Sequence, residues 1–336
     1  ILKKMNFVLQ EMGKNDEVAS MEIPKEFENA QGVCQYMTYA SYEVENFDQA
    51  LEYAQKALEI EKSGLNYVWL GWVLQALERN EEAKQCYDDA IKLEPEYAQG
   101  YEYMGRILSD EKNHQGSFDY YKKAWEISKH DDLILEQGYE MDELGKKIRR
   151  EGNEQLGIEK LKDGIAILEP ILESRECGGK AWLETGRCYW NLSNFVKAEE
   201  CYLKASEILP EDAEGWRCLG DVRCKAKSYS EALIFYERSL LYDNTIHNVQ
   251  TYYEKGMTYY ELEEWSKAIE SYNEVLRLDN NFEDALFYKA NSLGALKEYE
   301  DAIDCYVNFI DQFKNSGYSR IVDVWKYKAW TENMMS

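Results

Sequence analysis

A small residue, an aromatic four places on and another small residue three beyond that recur along this chain. Ala83, Tyr87, Ala90 return as Ala198, Tyr202, Ala205 and as Ser117, Tyr121, Ala124. Weaker copies run through Ala50, Ala54, Ala57; Gly157, Leu161, Gly164; Ala232, Tyr236, Ser239; Ala268, Tyr272, Val275; and Ala302, Tyr306, Phe309. The commonest spacing between copies is about 34 residues, too short for a unit to bury its own apolar face, so each unit must stack on its neighbours. The period therefore predicts one array of supersecondary units, where 336 residues would otherwise suggest two or three globular domains.

A second signature precedes each triad: a large residue, Gly four positions later and an apolar residue three after that. Tyr67, Gly71, Leu74; Tyr101, Gly105, Leu108; Trp182, Gly186, Tyr189; and Tyr252, Gly256, Tyr259 show it in full, and Trp216, Gly220 in part. The spacing i, i+4, i+7 is one stripe of a helix, so each unit is predicted to hold two amphipathic helices, A and then B. A mid-helix Gly costs roughly 1 kcal/mol against Ala, so its recurrence needs a packing reason. The expected reason is close approach of helix B, with Ala83 or Ala198 facing the glycine. Polar runs such as Glu78–Glu81 separate the helices, and Pro95 and Pro210 stand where a B helix must stop.

These positions resemble the tetratricopeptide repeat family, in the copies Tyr67, Leu70-Gly71, Ala83, Tyr87, Ala90, Pro95 and Trp216, Leu219-Gly220, Ala232, Tyr236. The resemblance implies an all-α fold, a right-handed superhelical solenoid of helix-turn-helix repeats. Eight repeats are predicted over 31–316, starting near 31, 64, 98, 131, 179, 213, 249 and 283. Residues 1–30 parallel part of a repeat, with Phe7-Val8-Leu9-Gln10 matching Trp72-Val73-Leu74-Gln75, and read as a degenerate remnant interrupted by Pro24. Residues 317–336, with Ile321, Trp325 and Ala329, read as a capping helix with an apolar inner and a polar outer face. The fourth repeat, 131–178, is enlarged by about fourteen residues over the common period, some of them extending helix A. Its Leu161, Ile165, Leu168 and Leu172 keep helical spacing across Pro170, which predicts either a kinked helix or a break with a short connector.

Composition narrows the function classes. Against 39 basic residues stand 64 acidic ones, a net charge of −25 that repels phosphate backbones and anionic lipid, so neither nucleic acid nor a membrane is an expected partner. No apolar run of about eighteen residues and no secretory signal is present, and a reducing, cytoplasmic setting is expected. Because the chain opens at Ile1 without an initiator Met, it is expected to be a piece of something longer. Eight cysteines form no CxxC, and Cys86, Cys201 and Cys305 share one repeat position, as small core residues would. With only His114, His130 and His247 beside them, no metal and no cofactor is expected. The basic run Lys146–Arg150 pairs either with the protein's own acidic surface or with an acidic partner, or else is a solvated loop. No phosphate-binding loop, dinucleotide fingerprint, zinc-protease motif or nucleophile elbow occurs, so an enzyme is not expected.

The family resemblance also implies where a ligand sits. Its A helices line a concave face, and transferring their contact positions yields Tyr36, Tyr39 and Tyr42 from the first repeat, and Val68, Trp69 and Trp72 from the second. Tyr103 and Arg106 follow in the third, with Glu102; Tyr139 in the fourth, with Glu136 and Asp142; and Glu184, Arg187 and Trp190 in the fifth. Arg217 and Asp221 come from the sixth, Tyr253, Glu254, Met257 and Tyr260 from the seventh, and Phe287, Tyr288 and Asn291 from the eighth. Such a groove implies a protein-protein interaction scaffold or adaptor holding a peptide or helix with apolar anchors and basic residues, drawn by the glutamates. The arginines would accept an acidic group locally, whereas the residues of a C-terminal carboxylate clamp are absent. The reading from another class is a sensing or substrate-docking segment of a larger enzyme or effector complex. Oligomeric state is left open, and helix B residues read as structural only.

Overall fold

The computed structural model of the protein describes residues 30–242, 248–313 and 321–335; the remnant predicted before residue 30 and His247 lie outside them. Among the described residues the chain is α-helical, without strands, and it divides into two compact units, Ile1–Cys177 and Gly178–Ser336. In the first unit α1 (Gln31–Glu43) pairs with α2 (Phe47–Ile60), α3 (Gly64–Ala76) with α4 (Asn80–Leu93), α5 (Ala98–Asp110) with α6 (His114–Ser128) and α7 (Asp132–Arg150) with α8 (Glu154–Leu168). The second unit pairs α9 (Gly178–Asn191) with α10 (Phe195–Ile208), α11 (Ala213–Lys225) with α12 (Tyr229–Tyr242), α13 (Asn248–Glu261) with α14 (Trp265–Leu278) and α15 (Glu283–Ala295) with α16 (Tyr299–Phe313). A further helix, α17 (Ile321–Met335), packs on α16.

Each A helix ends the same way. Two residues past its last turn the backbone enters the left-handed region, at Glu45, Glu78, Lys112, Gly152, Ser193, Lys227, Glu263 and Lys297, with φ near +60° everywhere except Gly152, at +93°. At Glu78 the closing geometry is explicit: its amide donates to the Gln75 carbonyl at 3.0 Å, and the Arg79 amide reaches back to the Leu74 carbonyl at 2.9 Å. This pair of hydrogen bonds satisfies carbonyls that the helix end would otherwise leave without partners. An Asn side chain then caps several of the B helices that follow, as where Asn194 Oδ1 accepts from the Lys197 amide at 3.3 Å. Sequence reading located these turns but not their conformation, because seven of the eight carry Glu, Lys or Ser where glycine is the ordinary choice.

Within a pair, the recurring glycine meets the recurring tyrosine. The Tyr87 ring, fully buried, lies so close to Gly71 that a Cβ there would come within 2.5 Å of Cε1; Gly256 and Tyr272 are as tight, at 2.6 Å. Gly186 with Tyr202 and Gly220 with Tyr236 repeat the contact. The expected alanine partner of the glycine is therefore corrected: Ala83 and Ala90 are buried beside Tyr87, but the ring itself fills the space over Gly71. In the fourth pair Leu161 takes the place of tyrosine against Gly145.

The fourth pair departs from the rest in length. Helix α7 has 19 residues against 13 in α5. Of the two readings at Pro170 the break holds, since α8 stops at Leu168 and a single 3-10 turn, Glu169–Ile171, carries the proline. The connector then folds back on the start of α7, where Ser174 Oγ donates to Asp131 Oδ2 at 3.0 Å and Cys177 Sγ to Asp132 Oδ1 at 3.3 Å. In the basic run, Lys146 pairs with Asp142 and Glu143, and Arg149 with Glu154. At the far end α17 buries Val324 and Thr331, yet Trp330 and Met334 stay half exposed, so its outer surface is less polar than a cap was expected to be.

Three outcomes follow for stability. Gly71→Ala, which has to displace the Tyr87 ring, is expected to cost about 1–3 kcal/mol in urea unfolding. Lys227→Gly relieves a left-handed residue and should gain about 0.5–1 kcal/mol, while Gly152→Ala, whose added Cβ meets nothing within 4 Å, should lose a similar amount through its backbone alone. Equal midpoints for these last two variants and the parent would refute the turn argument.

Candidate protein-binding face

In the first unit α1 touches α3, and α3 touches α5. Gln35 Nε2 on α1 donates to Asn66 Oδ1 on α3 at 2.7 Å, and Gln75 Nε2 on α3 donates to Asp110 Oδ2 on α5 at 3.1 Å. In the first unit Tyr42 stacks on Trp72 with ring centroids 3.7 Å apart, Trp72 meets Trp69 edge-on at 6.1 Å, and Trp69 meets Tyr39 at 6.2 Å. All four rings are half-buried. One face of each is spent on the next ring, and an edge or face remains for a ligand.

Beside them Tyr103 stacks on Tyr87 at 5.7 Å, and the exposed Arg106 guanidinium lies 5.0 Å from the Tyr103 centroid while pairing with Glu102 at 3.3 Å. Glu136 is exposed on α7. Tyr36 instead packs into the core of the first pair, with Met37 and Ala40. Tyr139 sits half-buried on α7. His114 and Glu140, both buried, share a 2.7 Å hydrogen bond between α6 and α7.

The charges of the second unit are arranged as a chain. Glu184 pairs with Arg187 at 2.9 Å, Arg187 with Glu214, Glu214 with Arg217 at 3.2 Å, and Arg217 with Asp221 at 2.8 Å. Arg187 and Arg217, which the sequence offers to an acidic ligand, are thus committed to the protein's own carboxylates. Tyr253, Tyr260 and Tyr288 come together: Tyr260 meets Tyr288 at 5.3 Å, and Tyr253 meets Phe282 at 4.9 Å and Tyr288 at 6.5 Å. These rings fill the seam between α13 and α15.

Between α9, α11, α12 and α13 lies a cavity of about 360 Å³, walled by Trp190, Tyr236 and Met257 and edged by Asp221, Glu254 and Glu261. Its floor is organised by one hydroxyl. Tyr236, its ring over Gly220, donates to Asp221 Oδ1 at 2.9 Å and lies 3.5 Å from Cys224 Sγ. Cys224 in turn lies 2.9 Å from the Thr258 hydroxyl, which donates to the Glu254 carbonyl at 2.8 Å. Burial, and then the Asp221 charge, push the Glu254 carboxyl up to about 7; burial likewise raises Asp221 against the pull of Arg217 and Tyr236. Sequence reasoning found Trp190, Asp221, Glu254 and Met257 but assigned Tyr236 to structure alone, weighed Cys224 only as a metal ligand beside Cys188 and Cys218, and passed over Tyr229. The spacing of Gly220 and Tyr236 held the missing signal, since a ring laid over a glycine carries its hydroxyl to the A-helix face. No group of three or more His, Cys, Asp or Glu among the described residues could hold a metal, and none of their helices is long and apolar enough to cross a membrane.

Comparison with known proteins agrees with this geometry. Tetratricopeptide repeat models match residues 66–97, 179–212, 249–282 and 284–316. A TPR repeat-containing protein of Methanocaldococcus jannaschii is 25% identical over 206 residues, 60% of this chain and 35% of that protein. The BBSome complex member BBS4 of Bos taurus is 19% identical over 278 residues, 80% of this chain and 50% of its own length, so this chain spans half or less of either relative. Among solved structures, a tetratricopeptide repeat protein from Parabacteroides merdae superposes with a TM-score of 0.59 at 14% identity, covering 78% of this chain and 98% of that one. A chain of the APC/C hetero-tetramer Cut9-Hcn1 gives 0.56 at 17% identity, covering 94% of this chain and 58% of that one; both likenesses show the fold alone. With its paired helices, its glycine–tyrosine contacts and four matched repeats, the chain belongs to the tetratricopeptide repeat family.

Proposed function

We propose that this chain is an interaction scaffold rather than a catalyst, and that its A-helix face holds a segment of a partner protein. The observation that carries the reading is the run of half-buried rings Tyr39, Trp69, Trp72 and Tyr42, continued by Tyr103. Rings already fixed by one another lose little freedom when a ligand covers them, which is why such groups dominate binding energy. Glu102 and Glu136 flank this surface, and an overall charge of −25 surrounds it, so basic and apolar segments are preferred over acidic ones. Relatives include an outer dynein arm-docking complex subunit of Danio rerio, 28% identical over 149 residues, and the BBSome member, both named as parts of assemblies. Membership of an assembly is the setting we propose here as well. Because the chain spans 29% of the first relative and 50% of the second, it serves equally as the docking segment of a longer protein.

A peptide array varying apolar and basic content separately tests the reading. Basic, aromatic- or aliphatic-rich peptides should be retained, and Trp69→Ala/Trp72→Ala should weaken them at least tenfold, about 1.4 kcal/mol, with the helical signal intact. Preferential retention of acidic, apolar-poor peptides would reject it.

A further inference from the structure

The cavity of the second unit is unlike the aromatic face of the first. Its rim holds three carboxylates, Asp221, Glu254 and Glu261, against one ammonium, Lys225, which lies 5.8 Å from the Phe195 ring. At about 360 Å³ it is near the lower end of the range of roughly 300–1,000 Å³ common to ligand sites, room for one long side chain. We propose that this cavity receives a single lysine side chain of the bound segment, its ammonium at Glu254 and Asp221 and its methylene stem against Trp190, Tyr236 and Met257. The inference rests on the scaffold reading above and names one contact within it.

Three features select lysine. A guanidinium binds best through two parallel hydrogen bonds to both oxygens of one carboxylate. Neither carboxylate offers that fork, because Asp221 gives Oδ1 to Tyr236 and Oδ2 to Arg217, and Glu254 gives Oε1 to Gln250 Nε2 at 2.6 Å. Among the described residues no donor reaches Glu254 Oε2, and one oxygen suits a point charge. The apolar walls match an unbranched stem that carries its charge at the tip. A metal ion is not the expected cation, since the described residues supply no set of three ligands.

The site is also sensitive to pH. Glu254 faces Asp221, Arg217 and Cys224 from α11, Tyr236 from α12, Tyr272 from α14 and Gln250 on its own helix. In the empty site its carboxyl holds a proton up to about pH 7. An incoming ammonium favours the ionised form, so binding releases that proton and tightens as pH rises, while lysine stays charged up to roughly pH 10. Between pH 6 and pH 8 the gain is about tenfold.

The test follows the Met257 methyl resonance in the full chain, labelled at methionine methyls, with N-acetyl-lysine methylamide as probe. A saturable shift is expected, about tenfold tighter at pH 8 than at pH 6. The neutral norleucine analogue should give none, and the arginine analogue should bind more weakly. Glu254→Gln should lower lysine affinity at least tenfold at pH 8 and flatten the pH response. An equal response to norleucine, a preference for arginine or for putrescine, no saturable shift in the parent protein, or an unchanged Glu254→Gln variant each overturns the pocket. Should that happen while tryptophan-dependent peptide binding persists, the scaffold reading stands without it; loss of the tryptophan effect alone removes the scaffold reading and leaves the lysine result to stand by itself.

Discussion

Everything in this array hangs on a ring pressed against a helix backbone. Where Tyr87 covers Gly71 and Tyr272 covers Gly256, two helices approach more closely than any side chain larger than hydrogen would permit. The contact sets the separation within a pair and the direction in which the tyrosine must point. It recurs with small variations: Leu161 against Gly145 in the fourth pair, and Tyr306 buried with Ala290 in the eighth. The glycine's unfavourable helix propensity, roughly 1 kcal/mol, is small beside the apolar area that a buried tyrosine removes from water.

The same contact links fold to surface. Because each ring crosses its glycine or alanine, its hydroxyl emerges at the A-helix face: Tyr236 at Asp221, Tyr306 at Asn291 at 2.7 Å, Tyr272 at the Met257 sulfur at 3.4 Å. A residue that looks purely structural thereby holds a surface group in place. Asp221 shows the effect most fully, since Tyr236 and Arg217 engage both of its oxygens and leave Glu254 as the adjustable charge of the cavity.

Much of this was legible in the residues. Periodicity of apolar positions marks helix A and helix B, because burial on one side imposes a helical spacing that composition cannot hide. The partner of the glycine was harder: Gly71 pairs with a residue sixteen positions away across a turn, and its alternatives, Ala83 and Tyr87, lie one turn apart on α4, so spacing alone does not choose between them. Nor does sequence show that Arg187 and Arg217 are spent on Glu184, Glu214 and Asp221, for ion pairing depends on which rotamers the neighbouring helix allows. The left-handed turns were hidden for a different reason. Residues such as Glu78 and Lys227 are held there by two backbone hydrogen bonds that outweigh a local preference.

One position deserves a separate reading, the residue immediately after the glycine or alanine that the ring covers. Down the array it is Trp72, Arg106, Arg187, Asp221, Met257 and Asn291. Its backbone is fixed by the contact next door and its side chain points to the face, where at Asp221, Met257 and Asn291 it accepts from the hydroxyl of the covering ring. Aromatic, cationic, anionic, thioether and amide chemistry all occur there on one unchanged frame. The array thus separates the column of sequence that builds it from the column that gives it an address, and the second can be rewritten, one repeat at a time, wherever the new side chain still meets the hydroxyl of the ring beside it.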